Sequence, residues 1–176
     1  GPLVSGMGSI CQDLMYGAIM EGSEAALFSS KQTVEDLSRE MGSMGMDVSG
    51  SIQDNKLSVR SIAKPSPGET PEALFGALAA EIDCLPRSCG LVIIDGITDL
   101  AIFCQDRTIM GFFSIFQKLC TAGKAIVVVA ESSAFAPDLL SRLRQLCDTH
   151  ISMMVRDRQV RVLNAVKVNN LEQRRD

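Results

Sequence analysis

Four consecutive aliphatic residues, Leu91, Val92, Ile93 and Ile94, stand between Gly90 and the pair Asp95-Gly96. The run is too short for a buried helix and has no polar side, so it predicts a strand covered on both faces. Such a strand belongs at the centre of a mostly parallel α/β sheet. Asp95 then falls at its carboxyl end, where open parallel sheets bind ligands. Aliphatic runs ending in Asp are also common as plain strand-end caps, so Asp95 by itself leaves both the binding and the capping roles open.

The rest of the chain supplies partners for that strand. Residues 124–130 (K-A-I-V-V-V-A) repeat the pattern and predict a second central strand, ending in Glu131-Ser132-Ser133. Shorter strands are predicted over residues 25–29 and, from the alternation of Leu57 and Val59, over 56–62. A helix over 9–20 would turn Ile10, Leu14, Tyr16, Ala18 and Ile19 to one side, and a helix over 33–44 would do the same with Val34, Leu37, Met41 and Met44. Thr70 as cap, Pro71 at the first position and Glu72 in the first turn open a helix over 71–84. Residues 107–122 predict a long helix with Ile109, Phe112, Phe113, Phe116 and Leu119 toward the sheet, stopped by Gly123. Residues 98–106 are expected as a loop or broken turn, 137–147 as a helix, and 150–154 with 159–168 as two strands joined through Arg156-Asp157-Arg158. Strands separated by helices imply a parallel sheet with helices on both faces, finished by an antiparallel edge hairpin.

Composition narrows the partners. At 176 residues the chain is one domain of ordinary size, with a polar tail over 170–176. Its net charge is −4 with both signs mixed along the chain, so no basic surface for nucleic acid is expected. No stretch reaches the roughly 18 apolar residues of a membrane span, and residues 1–20 lack the form of a signal peptide, so the expected location is cytoplasmic. Cys11, Cys84, Cys89, Cys104, Cys120 and Cys147 behave as small hydrophobes, and no zinc-ligand spacing or metal site is expected among them. His150 has no catalytic partner at a telling distance in sequence.

The chain opens G-P-L-V-S-G-M-G, a glycine-rich loop feeding a helix, which is a geometry that cradles phosphates. Downstream come Gln12 and Tyr16-Gly17, then L-F-S-S-K-Q-T-V-E-D, L-V-I-I-D-G-I-T, V-V-V-A-E-S-S-A-F with D-L-L-S-R-L-R and C-D, and finally R-V-L-N-A-V-K-V-N-N. In that order these segments resemble the RecA-type ATPases of the KaiC-like group, most closely the archaellum accessory ATPases, the H component of the archaeal motility motor. The resemblance implies a RecA-like three-layer sandwich, a nucleotide site with Mg²⁺ held by the Asp95 position, assembly into rings, and partners in a motor or signalling complex. It also implies a strand ahead of the glycine loop, which residues 1–176 do not contain. Gly1-Pro2-Leu3 matches the remnant of a cleaved tag, which would place residues 1–6 outside the natural chain and its start near Met7.

The chemistry departs from that family. On the P-loop pattern G-x-x-x-x-G-K-[ST], Gly1 and Gly6 keep the loop, but Met7 stands in place of the phosphate-binding Lys and Gly8 in place of the Mg²⁺-binding hydroxyl. Met brings no positive charge and Gly no ligand. Where the family has an activating acid after its second strand, the chain has Ser29-Ser30-Lys31, and a protonated Lys31 is no general base. Glu131 puts an anion where the family has a neutral or His sensor, opposing nucleotide charge by a few kcal/mol at close range even at an effective dielectric of about 20. Asp95 survives, and Lys167 matches a lysine that in this group reaches a neighbouring subunit's nucleotide. The expectation is a pseudo-ATPase without cofactor, acting as a scaffold or regulatory subunit, with an Asp95–Lys31 ion pair in the altered site. The alternatives are an ATPase using ATP and Mg²⁺ with Lys31 bent into the phosphate site, and an unrelated α/β domain binding another anion at Lys31.

Overall fold

The structure is a computed structural model; it describes residues 5–64, 66–156 and 160–168, with side chains for 7–64 and 66–153. In chain order the elements are α1 (Ser5–Met20), β1 (Glu24–Ser29), α2 (Val34–Ser43), α3 (Ser49–Gln53), β2 (Leu57–Ser61), α4 (Pro71–Asp83), β3 (Cys89–Asp95) and α5 (Thr98–Ala101). After these come α6 (Asp106–Thr121), β4 (Ala125–Val129), a single 3-10 turn (Ser132–Ala134), α7 (Pro137–Leu146), β5 (Thr149–Arg156) and β6 (Val160–Val168).

Alternation along β1 and β3 sets the layers. Successive strand side chains point to opposite faces, and here both faces are apolar. Ala26 and Phe28 of β1 join Val92 and Ile94 of β3 in a core with α4, α5, α6 and α7, where Phe112 meets Phe75 edge-on at 4.6 Å. Ala25, Leu27, Leu91 and Ile93 face the other way, against Cys11 and Met15 of α1 and Leu37 and Met41 of α2. The result is three layers, with helices on both sides of a parallel four-stranded sheet in the order β2-β1-β3-β4.

That order places β3, the Leu91–Ile94 strand, inside the sheet as its composition requires. The chain runs from β1 to β2 on one side and returns to β3 on the other, so the strand order reverses between β1 and β3. A crevice at the carboxyl ends of β1 and β3 follows from that reversal.

Several sequence expectations need correcting. The 124–130 run does not lie centrally: β4 is the edge of the four-stranded sheet, and Ile126 through Val129 are half-buried. The terminal hairpin forms, but β5 and β6 pair with each other in a separate two-stranded sheet. Residues 98–106 contain α5, and α3 was not anticipated. On α1 the fully buried residues are Cys11, Gln12 and Met15, with Tyr16, Ala18 and Ile19 half-buried against the same core as expected, while Leu14 is 44% exposed. Met44 caps α2 in the open rather than packing with Leu37 and Met41.

The caps follow the sequence. Thr33 Oγ1 accepts from the Asp36 N–H and Thr70 Oγ1 from the Ala73 N–H, each replacing a bond that a helix start leaves unmade. Lys124, just before β4, donates from Nζ to the Pro86 and Cys89 carbonyls at 2.8 and 3.0 Å and so ties β4 to the turn ahead of β3.

Candidate functional site

The crevice between β1 and β3 is built by backbone register. Ser29 and Asp95 are paired neighbours at the carboxyl ends of their strands, and Val129 lies beside Asp95 on β4. A cavity of about 20 Å³ lies here, lined by Gly8, Cys11, Gln12, Met15, Leu27, Gln32, Asp95 and Val129. That is room for one water-sized group and not for a phosphate chain.

The first turn of α1 is one wall. The helix begins at Ser5, so Gly6, Met7 and Gly8 are helical rather than a loop; Gly1 lies outside the described residues. Gly8 faces the same cavity as Asp95, the two positions that the P-loop frame assigns to the metal. Cys11 follows one turn on, its thiol pushed up to about 11 by burial and, secondarily, by the Asp95 charge. A thiol so far from ionisation is no nucleophile.

The far wall is a hydrogen-bonded clasp. Gln12 of α1 donates from Nε2 to Glu40 Oε2 at 2.9 Å, and Gln32, after β1, donates to the same oxygen at 2.8 Å. Gln12 is 5% exposed, so Glu40 supplies the partner that a buried amide requires. Sequence reasoning passed over Glu40, although a Gln inside the buried stripe of α1 signals that some acceptor must reach it.

The end of β1 is turned onto β3. Ser29 Oγ accepts the Lys31 and Gln32 N–H groups at 3.1 and 3.0 Å. The Ser30 N–H donates to the Asp95 carbonyl at 3.2 Å, and Ser30 Oγ donates to Asp99 Oδ2 at 3.0 Å. Gly96 at φ +97° lets the chain pass against Ser30.

Burial raises the pKa of Asp95 above the ordinary carboxylate value; the Lys31 charge pulls it down and Asp99 pushes it up. Lys31 thus acts on Asp95 through space, yet the ion pairs within 4 Å among the described residues are Arg39–Asp36, Lys56–Asp54 and Arg60–Glu81, and the expected Asp95–Lys31 contact pair is not one of them. Lys31 itself is exposed. Glu131 is also exposed, and its N–H donates to Thr98 Oγ1 at 3.0 Å, tying the end of β4 to α5. Lys167 stands on β6 opposite His150; its side chain lies outside the described residues.

The sign of the Asp95 shift makes a prediction. An acid whose folded pKa is raised binds its proton more tightly when folded, so folding loses stability as pH rises from the ordinary value of 3.8 through the raised one. Asp95→Asn removes that loss. Relative to the parent, its melting temperature is expected to rise with pH across this window and hold its advantage at neutral pH; a lower melting temperature at pH 7 would mean that the carboxylate is stabilised by a contact.

The residues present do not fit MgATP. Met7 and Gly8 provide neither the cation nor the hydroxyl that such a site needs. Among the described residues no group of three or more His, Cys, Asp or Glu side chains is placed to hold a metal ion. No helix among them is long and apolar enough to cross a membrane.

Strand order, two helical layers and a strand-end Asp at the switch point make a three-layer α/β fold, in keeping with a RecA-like sandwich. No protein-family model matches the chain, and no curated protein matches it. Among solved structures it is similar to the flagellar accessory protein FlaH from Methanocaldococcus jannaschii, with a TM-score of 0.71 and 13% sequence identity over 91% of this chain and 72% of that one. At that identity the likeness is one of fold.

Proposed function

We propose that this chain is a RecA/KaiC-like pseudo-ATPase, a non-catalytic scaffold or regulatory subunit of an archaellum-type motor complex, assembling with protein partners and with copies of itself. The observation that carries the reading is that Gly8 and Asp95, the two metal positions of the P-loop frame, line one small cavity while the cation and hydroxyl of that frame are absent. The Gln12–Glu40–Gln32 clasp supports it, since these side chains beside the cavity bind one another. The fold shared with a flagellar accessory protein supports the motor setting. Its place is on the cytoplasmic side of such a complex, with protein surfaces rather than nucleic acid or lipid as contacts.

The competing reading, an ATPase with a non-standard site, has one observation behind it: the charge of Lys31 reaches Asp95. Isothermal titration with MgATP separates the two. The expected result is no binding heat at millimolar nucleotide. Micromolar binding that Lys31→Ala or Asp95→Ala abolishes would make the chain a nucleotide-binding enzyme and end the scaffold reading.

A further inference from the structure

Arg144, in the last turn of α7, and His150, the second residue of β5, flank the Cys147-Asp148 connection. Arg144 Nε and His150 Nδ1 are both sealed from solvent, and among the described residues they are the buried side-chain nitrogens and oxygens left without a hydrogen-bond partner. Each such atom has given up its hydrogen bond to water without gaining one in the protein. Two of them side by side in one short stretch call for a partner, an ion or an ordered water among the explanations.

When the ring is protonated the two groups also share a sign. Burial, and after it the positive charge of Arg144, hold His150 below the ordinary imidazole value. Arg144 takes part in none of the ion pairs of the described residues. Asp148, in the connection between them, raises the Cys120 thiol and has no part in the His150 shift. Burial and Arg144 are the influences on the ring, and no acid among the described residues acts on it. A water molecule satisfies a donor but leaves the charge; an oxyanion answers both.

We propose that Arg144 and His150 form a binding site for a small phosphate-class oxyanion, with Arg144 Nε–H and His150 Nδ1–H donating to its oxygens. Phosphate suits the site better than a carboxylate because a dianion balances both cations once the ring is protonated. The site is separate from the Asp95 cavity and does not depend on how that cavity is used.

His150 is the chain's single histidine, so its ring C–H signals in an NMR pH titration report one group. The titration is run with inorganic phosphate and with chloride at matched ionic strength. Phosphate is expected to move the His150 midpoint upward by about one pH unit, as an opposite charge at close range does. In Arg144→Gln the midpoint is expected to rise without phosphate, because a repelling charge is gone, and to lose its response to phosphate. A parent midpoint that is the same in both salts, or a full phosphate response in Arg144→Gln, overturns the site. The first comparison needs no variant, so a folding defect in Arg144→Gln leaves the test intact.

Discussion

Gly96→Ala is expected to destabilise the protein by about 3–4 kcal/mol, the sum of a strained backbone and an overpacked contact. Gly96 sits at φ +97°, where L side chains are rarely found. A Cβ there would run into Ser30 Oγ and would also lie 2.9 Å from Ser30 Cβ and 3.3 Å from its backbone nitrogen. Rotating the hydroxyl away breaks its bond to Asp99 without moving the Cβ or the backbone. The strand ends would have to part, and with them the Ser30 N–H bond to the Asp95 carbonyl. Urea unfolding of Gly96→Ala, Ser30→Gly and the double variant divides the effect. Ser30→Gly is expected to recover about half of the loss in the Gly96→Ala background, leaving the backbone strain. A loss below about 1 kcal/mol for Gly96→Ala would show that the β1 and β3 ends are not pinned together, and that the crevice is looser than its geometry.

The fold was legible wherever composition reports on coverage by other layers. Leu91 to Ile94 is apolar on both sides because α1 and α2 lie over one face of the sheet and α4 to α7 over the other. Whether a strand also has neighbours at both edges is a separate matter, decided by backbone pairing. Ile126 to Val129 are covered by the same two layers and so look like β3 in sequence, yet β4 is an edge. The α1 stripe was placed only in part, for a different reason: Tyr16, Ala18 and Ile19 pack on the core, but Leu14 does not. Its inner face is built from Cys11, Gln12 and Met15, and a pattern search that weights Leu and Ile turns the helix toward Leu14 instead.

In the candidate site, Gly8 and Asp95 were legible because each belongs to a local pattern with fixed spacing. The clasp was not, because Gln12 and Glu40 are separated by 28 positions and meet only through the packing of α1 against α2. Lys31 was placed near Asp95 correctly in kind but not in contact, since its backbone is held by Ser29 Oγ at the surface.

Met7→Lys combined with Gly8→Thr is expected to create MgATP binding where the parent has none, with a Kd below about 100 µM, or roughly 5.5 kcal/mol of binding free energy. Gly8 and Asp95 line one cavity of about 20 Å³, room for a single ion, and a Cβ at position 8 meets nothing within 4 Å, so a Thr fits there without a clash. The phosphates themselves belong outside that cavity, at the start of α1, where a Lys at position 7 adds charge to a helix N-terminus. Neither substitution suffices alone: Lys without Thr leaves the metal short of a ligand, and Thr without Lys leaves the triphosphate charge unanswered. Hydrolysis is not expected to follow, because the turn after β1 still offers Ser29, Ser30 and Lys31 instead of a base, and the Glu40 carboxylate is occupied by two amides. Titration calorimetry on the folded double variant gives the binding answer, and phosphate release gives the other. Absence of binding in a variant as stable as the parent would show that Gly8 and Asp95 are neighbours by packing alone, and the pseudo-ATPase reading would lose the geometry it rests on.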